Sequence, residues 1–279
     1  MSLFVVVKCS DGFAICADSQ EIVEGYRVSV QKIKPRRCGN FDIAIGGVTN
    51  AAELVDSFVR RFEVGVTKGK FSTLDELEEF GNGELLNFRE LEAQTYSPEQ
   101  LARMEFVIAA KPANTPSVQV WRTAASRLIP IEDYALVGWQ PELYKQVASG
   151  LYRPDMPLVQ GIFFGLRILA LAKDTSYFVN SPFTVIVAKE NGLWLDKTPN
   201  IDNVLSRLAA FSKLSSTLML DFPDISLNET AFKQKLLKFQ QDVFNLRRAY
   251  FEATIKLMAS EGFANCNDPY PRIPLGTVT

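Results

Sequence analysis

The order of hydrophobic patterns predicts an α+β chain in which helices pack on stacked antiparallel sheets. Three observations carry this prediction. Apolar strand-like runs come first, then helical patterns, then strands, helices and strands again, instead of alternating strand–helix units. The first and last strand pairs are joined by turn signals, Ser10-Asp11-Gly12 and Asn191-Gly192. Neither GxGxxG nor GxxxxGK[ST] occurs, so nothing points to a dinucleotide or P-loop site.

Ser2 to Cys9 reads as the opening strand and Phe13 to Gln20 as its return. With residues 10–12 as the loop, Cys9 faces Phe13, Val6 faces Cys16 and Phe4 faces Asp18. Ser2 and Asp18 then share one face, while Cys9 and Cys16 point to opposite faces, which argues against a disulfide between them. Asp18 follows the small apolar run Ala14-Ile15-Cys16-Ala17 and needs a cation; the next lysine is Lys32.

Arg27 to Lys34 reads as a third strand ended by Pro35, and Phe41 to Ile45 as a fourth that closes on Gly46-Gly47. Thr49 or Asn50 is placed to cap a helix from Ala51 to Val64, where Leu54, Val55, Phe58, Val59 and Phe62 recur at helical spacing. Ser72 to Gln94 is a second helical region, broken by Gly81-Asn82-Gly83. Ser97-Pro98-Glu99 starts a further helix with proline at its first position. Glu105 to Ala110 and Ser117 to Thr123 pair as strands, and Ala135 to Val137 is a short strand ending at Gly138. Pro141 to Gly150 and Leu158 to Lys173 are helical, and Phe183 to Lys189 forms the last hairpin with Trp194-Leu195.

Asn228-Glu229 opens a long helix in which Phe232, Leu236, Phe239, Val243, Leu246, Tyr250, Ala253 and Leu257 form a heptad stripe. A helix packed on its own domain and an intersubunit coiled coil both fit that stripe. The tail from Asp268 is too proline-rich for regular structure and reads as a docking strap or a disordered end. The domain division is therefore 1–197, followed by a helical extension with its tail at 198–279.

Composition narrows the chemistry. Among 279 residues, 30 basic and 32 acidic side chains leave a net charge of −2, which gives no support to nucleic-acid binding. Lys8 interrupts the first apolar run, so no signal peptide is expected. Leu158 to Ala172 is interrupted by Gly161, Gly165 and Arg167 and is too short to span a bilayer, so no membrane partner is expected. Four cysteines without CxxC spacing suit reduced, buried thiols in a cytoplasmic protein. No cofactor is expected. Most decisive is the absence of histidine, which removes Ser-His-Asp and Cys-His pairs and the imidazole general base. A nucleophilic hydrolase built on this chain must use a lysine or its α-amino group, whose unperturbed pKa is roughly 7.7–8.0.

These residues, taken together, resemble the β-type subunits of the proteasome and their bacterial relatives, the N-terminal nucleophile (Ntn) hydrolases. The resemblance lies in Ser2, the strand Leu3 to Cys9, Asp11-Gly12, Ala17-Asp18-Ser19, Lys32-Ile33 and Gly46-Gly47. It continues more weakly through Leu136-Val137-Gly138, Ala172-Lys173-Asp174 and Val179-Asn180-Ser181-Pro182, over roughly the first 195 residues. The family usually has a serine where this chain has Trp139.

The resemblance implies a four-layer αββα sandwich with a helical C-terminal extension. It implies an amide-bond hydrolase, a self-compartmentalised peptidase of the threonine-protease type, with Ser2 as nucleophile once Met1 is removed. Lys32 would tune the site, Asp18 would hold Lys32, an N–H at Gly46-Gly47 would bind the oxyanion, and Asp174 would be the family's downstream aspartate. The implied partners are a peptide or amide substrate, further copies in a ring-shaped homo-oligomer, and an ATPase of unspecified kind. Two competing readings are a catalytically inactive assembly subunit and a small-molecule amidase on the same fold.

Overall fold

The computed structural model describes residues 2–23, 26–49, 51–196, 201–223 and 228–260. They divide into two compact units, the first Met1–Lys197 with Leu208–Ala210, the second Thr198–Arg207 with Phe211–Thr279.

Near-continuous burial of the strand Leu3–Cys9 (β1) shows that both its faces are covered. On one face, Phe4 and Val6 join Phe13, Ile15 and Ala17 of Gly12–Asp18 (β2) in a core shared with a second sheet. The other face lies under the helix Leu158–Thr175 (α5), whose Gly161 and Gly165 sit over the sulfurs of Cys9 and Cys16. The two cysteines therefore share a face, against expectation. The reason is the hairpin register: Cys9 stands opposite Gly12, Val5 opposite Cys16 and Phe4 opposite Ala17. The loop is two residues long rather than three, and Gly12 opens β2 at φ +144, a value that suits a residue without Cβ. Cys9, Cys16 and Cys38 are buried and form no disulfide. Cys266 lies outside the described residues.

The first sheet has the order β10-β1-β2-β11-β12, with Tyr134–Gly138 as β10, Phe183–Lys189 as β11 and Gly192–Asp196 as β12. All its pairs are antiparallel. The final hairpin is the one the sequence predicts.

The second sheet runs β5-β6-β7-β8-β9: Ile33–Cys38, Phe41–Val48, Glu105–Pro112, Gln119–Ala124 and Arg127–Pro130. Pro35 does not end a strand; it lies within β5, opposite Ala44. An edge strand tolerates the missing N–H, and β5 is an edge. The segment expected as one strand is split between β5 and a separate hairpin of Gln20–Val23 (β3) and Tyr26–Ser29 (β4). Gly46-Gly47 lies inside β6 instead of turning into a helix.

Ala44, Val48, Val107, Ala109 and Val120 of the second sheet meet the Phe4–Ile15 core. Its other face carries Ala52–Gly69 (α1) and Leu74–Glu92 (α2), where Phe58, Phe62, Leu85 and Phe88 pack with Phe106, Ile108 and Trp121. The α1 helix begins after Ala51, which makes no side-chain cap; Thr49 Oγ1 accepts the Ala51 N–H at 3.2 Å. Asn50, the alternative cap, lies outside the described residues.

No break occurs at Gly81-Asn82-Gly83, and α2 is continuous. Thr73 and Glu76 close a capping box at its start. Asn82 Oδ1 accepts the Leu128 N–H at 2.7 Å, and Gly81 lets the Leu128 side chain approach the helix backbone. The short helix Pro98–Ala102 (α3) starts on a second capping box, Ser97 with Gln100, and Glu142–Leu151 is α4.

The second unit contains Glu229–Ser260 (α7) and, apart from Leu208–Ala210, the helix Ile201–Asp221 (α6), which the sequence pattern did not single out. Phe211 stacks on Phe239 at 5.4 Å, and Lys235 pairs with Asp221 at 2.6 Å. Within the heptad stripe Leu246 and Tyr250 are buried, while Leu236 and Val243 are each 37% exposed. The side chains of Ala253 and Leu257, and the tail from Asp268, lie outside the described residues. Among the described residues, no helix is long and apolar enough to cross a membrane.

Candidate functional site

Strand ends set the site. β1 begins beside Ser2, and β2 ends at Asp18. The Asp18 carboxylate is fully buried and uses both oxygens: Oδ1 accepts the Leu3 N–H at 2.8 Å, and Oδ2 accepts from Lys32 Nζ at 2.7 Å. The Lys32 side chain is 8% exposed. An ammonium removed from water this far needs such a partner, and the carboxylate accepts from one backbone donor and one charged donor. The predicted pairing is therefore present, although the route to it differs. Ser2 and Asp18 do not share a face through a Phe4–Asp18 pair; the observed register moves Asp18 one residue along, towards Leu3.

Lys32 is delivered by the start of β5. The Val30 N–H bonds the Ser19 carbonyl at 2.8 Å, and Ile33 pairs with Gly46 of β6. Gly46 is thus one residue from Lys32 in the register. A Cβ there would lie 2.6 Å from the Phe4 ring, and one on Gly47 would lie 2.7 Å from Phe106. Both glycines are explained by close approach of aromatic rings from other elements.

On the other side of β1, Gly138 pairs with Leu3, and the Trp139 N–H donates to the Ser2 carbonyl at 2.8 Å. Gly138 has φ +119, and a Cβ there would collide with the Ser2 carbonyl oxygen. Ser2 itself is 7% exposed. Met1 lies outside the described residues.

Asp174, the aspartate expected downstream, lies near the C-terminal end of α5. It is exposed there. Its neighbour Lys173 reaches Ser181 Oγ at 3.0 Å. A carboxylate the sequence reading missed is Glu105, at the start of β7. It accepts the Gly138 backbone N–H, with the charges of Arg122 and Arg89 nearby, and burial pushes its carboxyl above the ordinary value. An acid at the first position of an apolar strand was the only sequence signal for it.

No family model matches the sequence, and no curated protein matches it. Solved structures do match in fold. Anbu (ancestral beta-subunit) from Yersinia bercovieri aligns with a TM-score of 0.63 at 12% identity, covering 81% of this chain and all of that one. The helical assembly of the Anbu complex from Pseudomonas aeruginosa aligns at 0.63 and 13% identity over 81% of this chain and all of that chain. An Anbu (Gly-1) mutant from Hyphomicrobium sp. strain MC1 aligns at 0.61 and 12% identity, covering 81% and 98%. Identity this low shows a shared fold alone. The resemblance to proteasome β-type subunits is therefore corrected: the motifs do not establish membership of that family, and the relation is one of fold to the Anbu proteins.

Proposed function

We propose that the chain is an amide-bond hydrolase in which Ser2, freed by removal of Met1, is the nucleophile and its own α-amino group the base. The observation that carries the reading is the buried Asp18 carboxylate, which ties the backbone next to Ser2 and the Lys32 ammonium to one point. The amine takes the hydroxyl proton as Oγ adds to the substrate carbonyl. The tetrahedral intermediate collapses, the amine product leaves with that proton, and water then hydrolyses the acyl ester. The Lys32 charge favours a neutral amine and a more acidic hydroxyl, while Asp18 keeps Lys32 charged and aimed. An N–H of the Gly46–Gly47 stretch is the oxyanion donor in this scheme.

The scheme fits a four-layer αββα order, supported by α5 against the first sheet, the core shared by the two sheets, and α1 and α2 against the second. The helical assembly of one Anbu neighbour supports a homo-oligomer and, with it, a peptide substrate. Hydrolysis of a panel of peptides and small amides by full-length wild-type and Ser2→Ala protein tests the function. The account expects Ser2→Ala to fall to background with an unchanged circular-dichroism spectrum. Equal hydrolysis by both proteins would sink it, and hydrolysis by neither would favour an inactive assembly subunit.

A further inference from the structure

We propose that Trp139, Phe178 and Tyr177 form the surface that recognises an aromatic side chain of the substrate, an inference that rests on reading Ser2 as the nucleophile. The sheet order makes the case. β10 ends at Gly138 opposite Leu3, and β11 begins at Phe183 opposite Asp18, so the outer ends of both strands lie at the Ser2 end of the sheet. In the order β10-β1-β2-β11 they stand three strand spacings apart, roughly 14 Å. Yet the rings of Trp139, just past β10, and Phe178, just before β11, have centroids 4.6 Å apart. The two loops are drawn together at the sheet end where Ser2 and Asp18 sit.

The turn at Trp139 is built for this. Gly138 at φ +119 and Gln140 at φ +45 flank it, both in backbone regions that side chains disfavour, while its own N–H is held by the Ser2 carbonyl. Trp139 therefore cannot drift from the nucleophile. Tyr177 extends the surface, edge-on to Phe178 at 5.7 Å and 89°, and is 60% exposed. Trp139 and Phe178 are only half-buried. Three partly or largely exposed rings at the Ser2 end of the sheet offer stacked and edge-to-face contacts to a further ring.

The test uses the full-length Ser2→Ala protein and three probes: the N-acetyl amides of phenylalanine, alanine and arginine, with binding measured by calorimetry. The phenylalanine amide should bind roughly tenfold or more tightly than the alanine amide. Adding Trp139→Ala or Tyr177→Ala should erase that preference; Tyr177, being exposed, can be removed without disturbing the core. Equal binding of all three probes, no binding of any, tighter binding of the arginine amide, or a preference that survives both substitutions would overturn the inference. Hydrolysis of the matching anilides by wild-type protein separates the two claims. Aromatic-selective binding without hydrolysis overturns the nucleophile and keeps the recognition surface; hydrolysis without selectivity does the reverse.

Discussion

At the residue scale, the Asp18–Lys32 pair is the feature with most at stake. Each side chain is nearly or wholly out of water, so removing one partner strips the other of its ion pair, at a cost of roughly 3–5 kcal/mol. Asp18→Asn and Lys32→Met should each lower stability by about that amount in urea unfolding. The double variant should lose clearly less than the sum, because neither charge is then stranded; strict additivity would show that the two do not act as a pair.

Glu105 gives a test with the opposite sign. Its folded-state pKa is raised, so the folded protein holds the proton more tightly than the unfolded chain. Its charged form therefore costs stability above the folded pKa, and that cost disappears as pH falls below the ordinary value of 4.5. Glu105→Gln keeps an acceptor for the Gly138 N–H and should stabilise the protein at neutral pH, with the gain vanishing in acid. A gain independent of pH would contradict this. The Asp18–Lys32 contact was legible in the sequence because an acid after a small apolar run demands a cation. The exact hairpin register was not, since nothing local separates a two-residue loop from a three-residue one when Gly12 can serve either.

At the element scale, glycine was the residue the sequence misread. Gly81 and Gly83 look alike as helix breakers, yet α2 runs through both. A Cβ on Gly81 would meet the Leu128 side chain, whereas nothing lies within 4 Å of one on Gly83. Gly83→Ala should therefore stabilise by about 0.5–1 kcal/mol through the unfolded chain and helix propensity, and Gly81→Ala should destabilise. Matched thermal unfolding of the two variants decides it, and the same sign for both would refute the packing account. Gly46 under Phe4 and Gly161 over Cys9 follow the same rule. In each case the partner lies far along the chain, so the glycine's purpose is invisible until the elements pack. Pro35 was misread for a related reason, since only the sheet order reveals β5 as an edge.

At the scale of the whole molecule, the segregation of strands and helices was enough to predict a mixed fold of antiparallel sheets and helices, because burial on two faces leaves solid apolar runs such as Leu3 to Val7. The short strands β3, β4 and β9 carried too little pattern to be assigned correctly, and Arg127–Pro130 has a single buried residue, Leu128. Family membership was read too far from motifs that the fold alone explains in part, Gly46-Gly47 above all. The claim that remains is chemical: a free amine and hydroxyl on Ser2, at the end of a strand pinned by Asp18 and Lys32. Mass spectrometry of the purified full-length protein after treatment with an electrophilic peptide measures it directly. The account predicts chains lacking Met1 that carry one adduct, mapped to Ser2. Met1 retained on every chain, or an adduct mapped elsewhere, would contradict it.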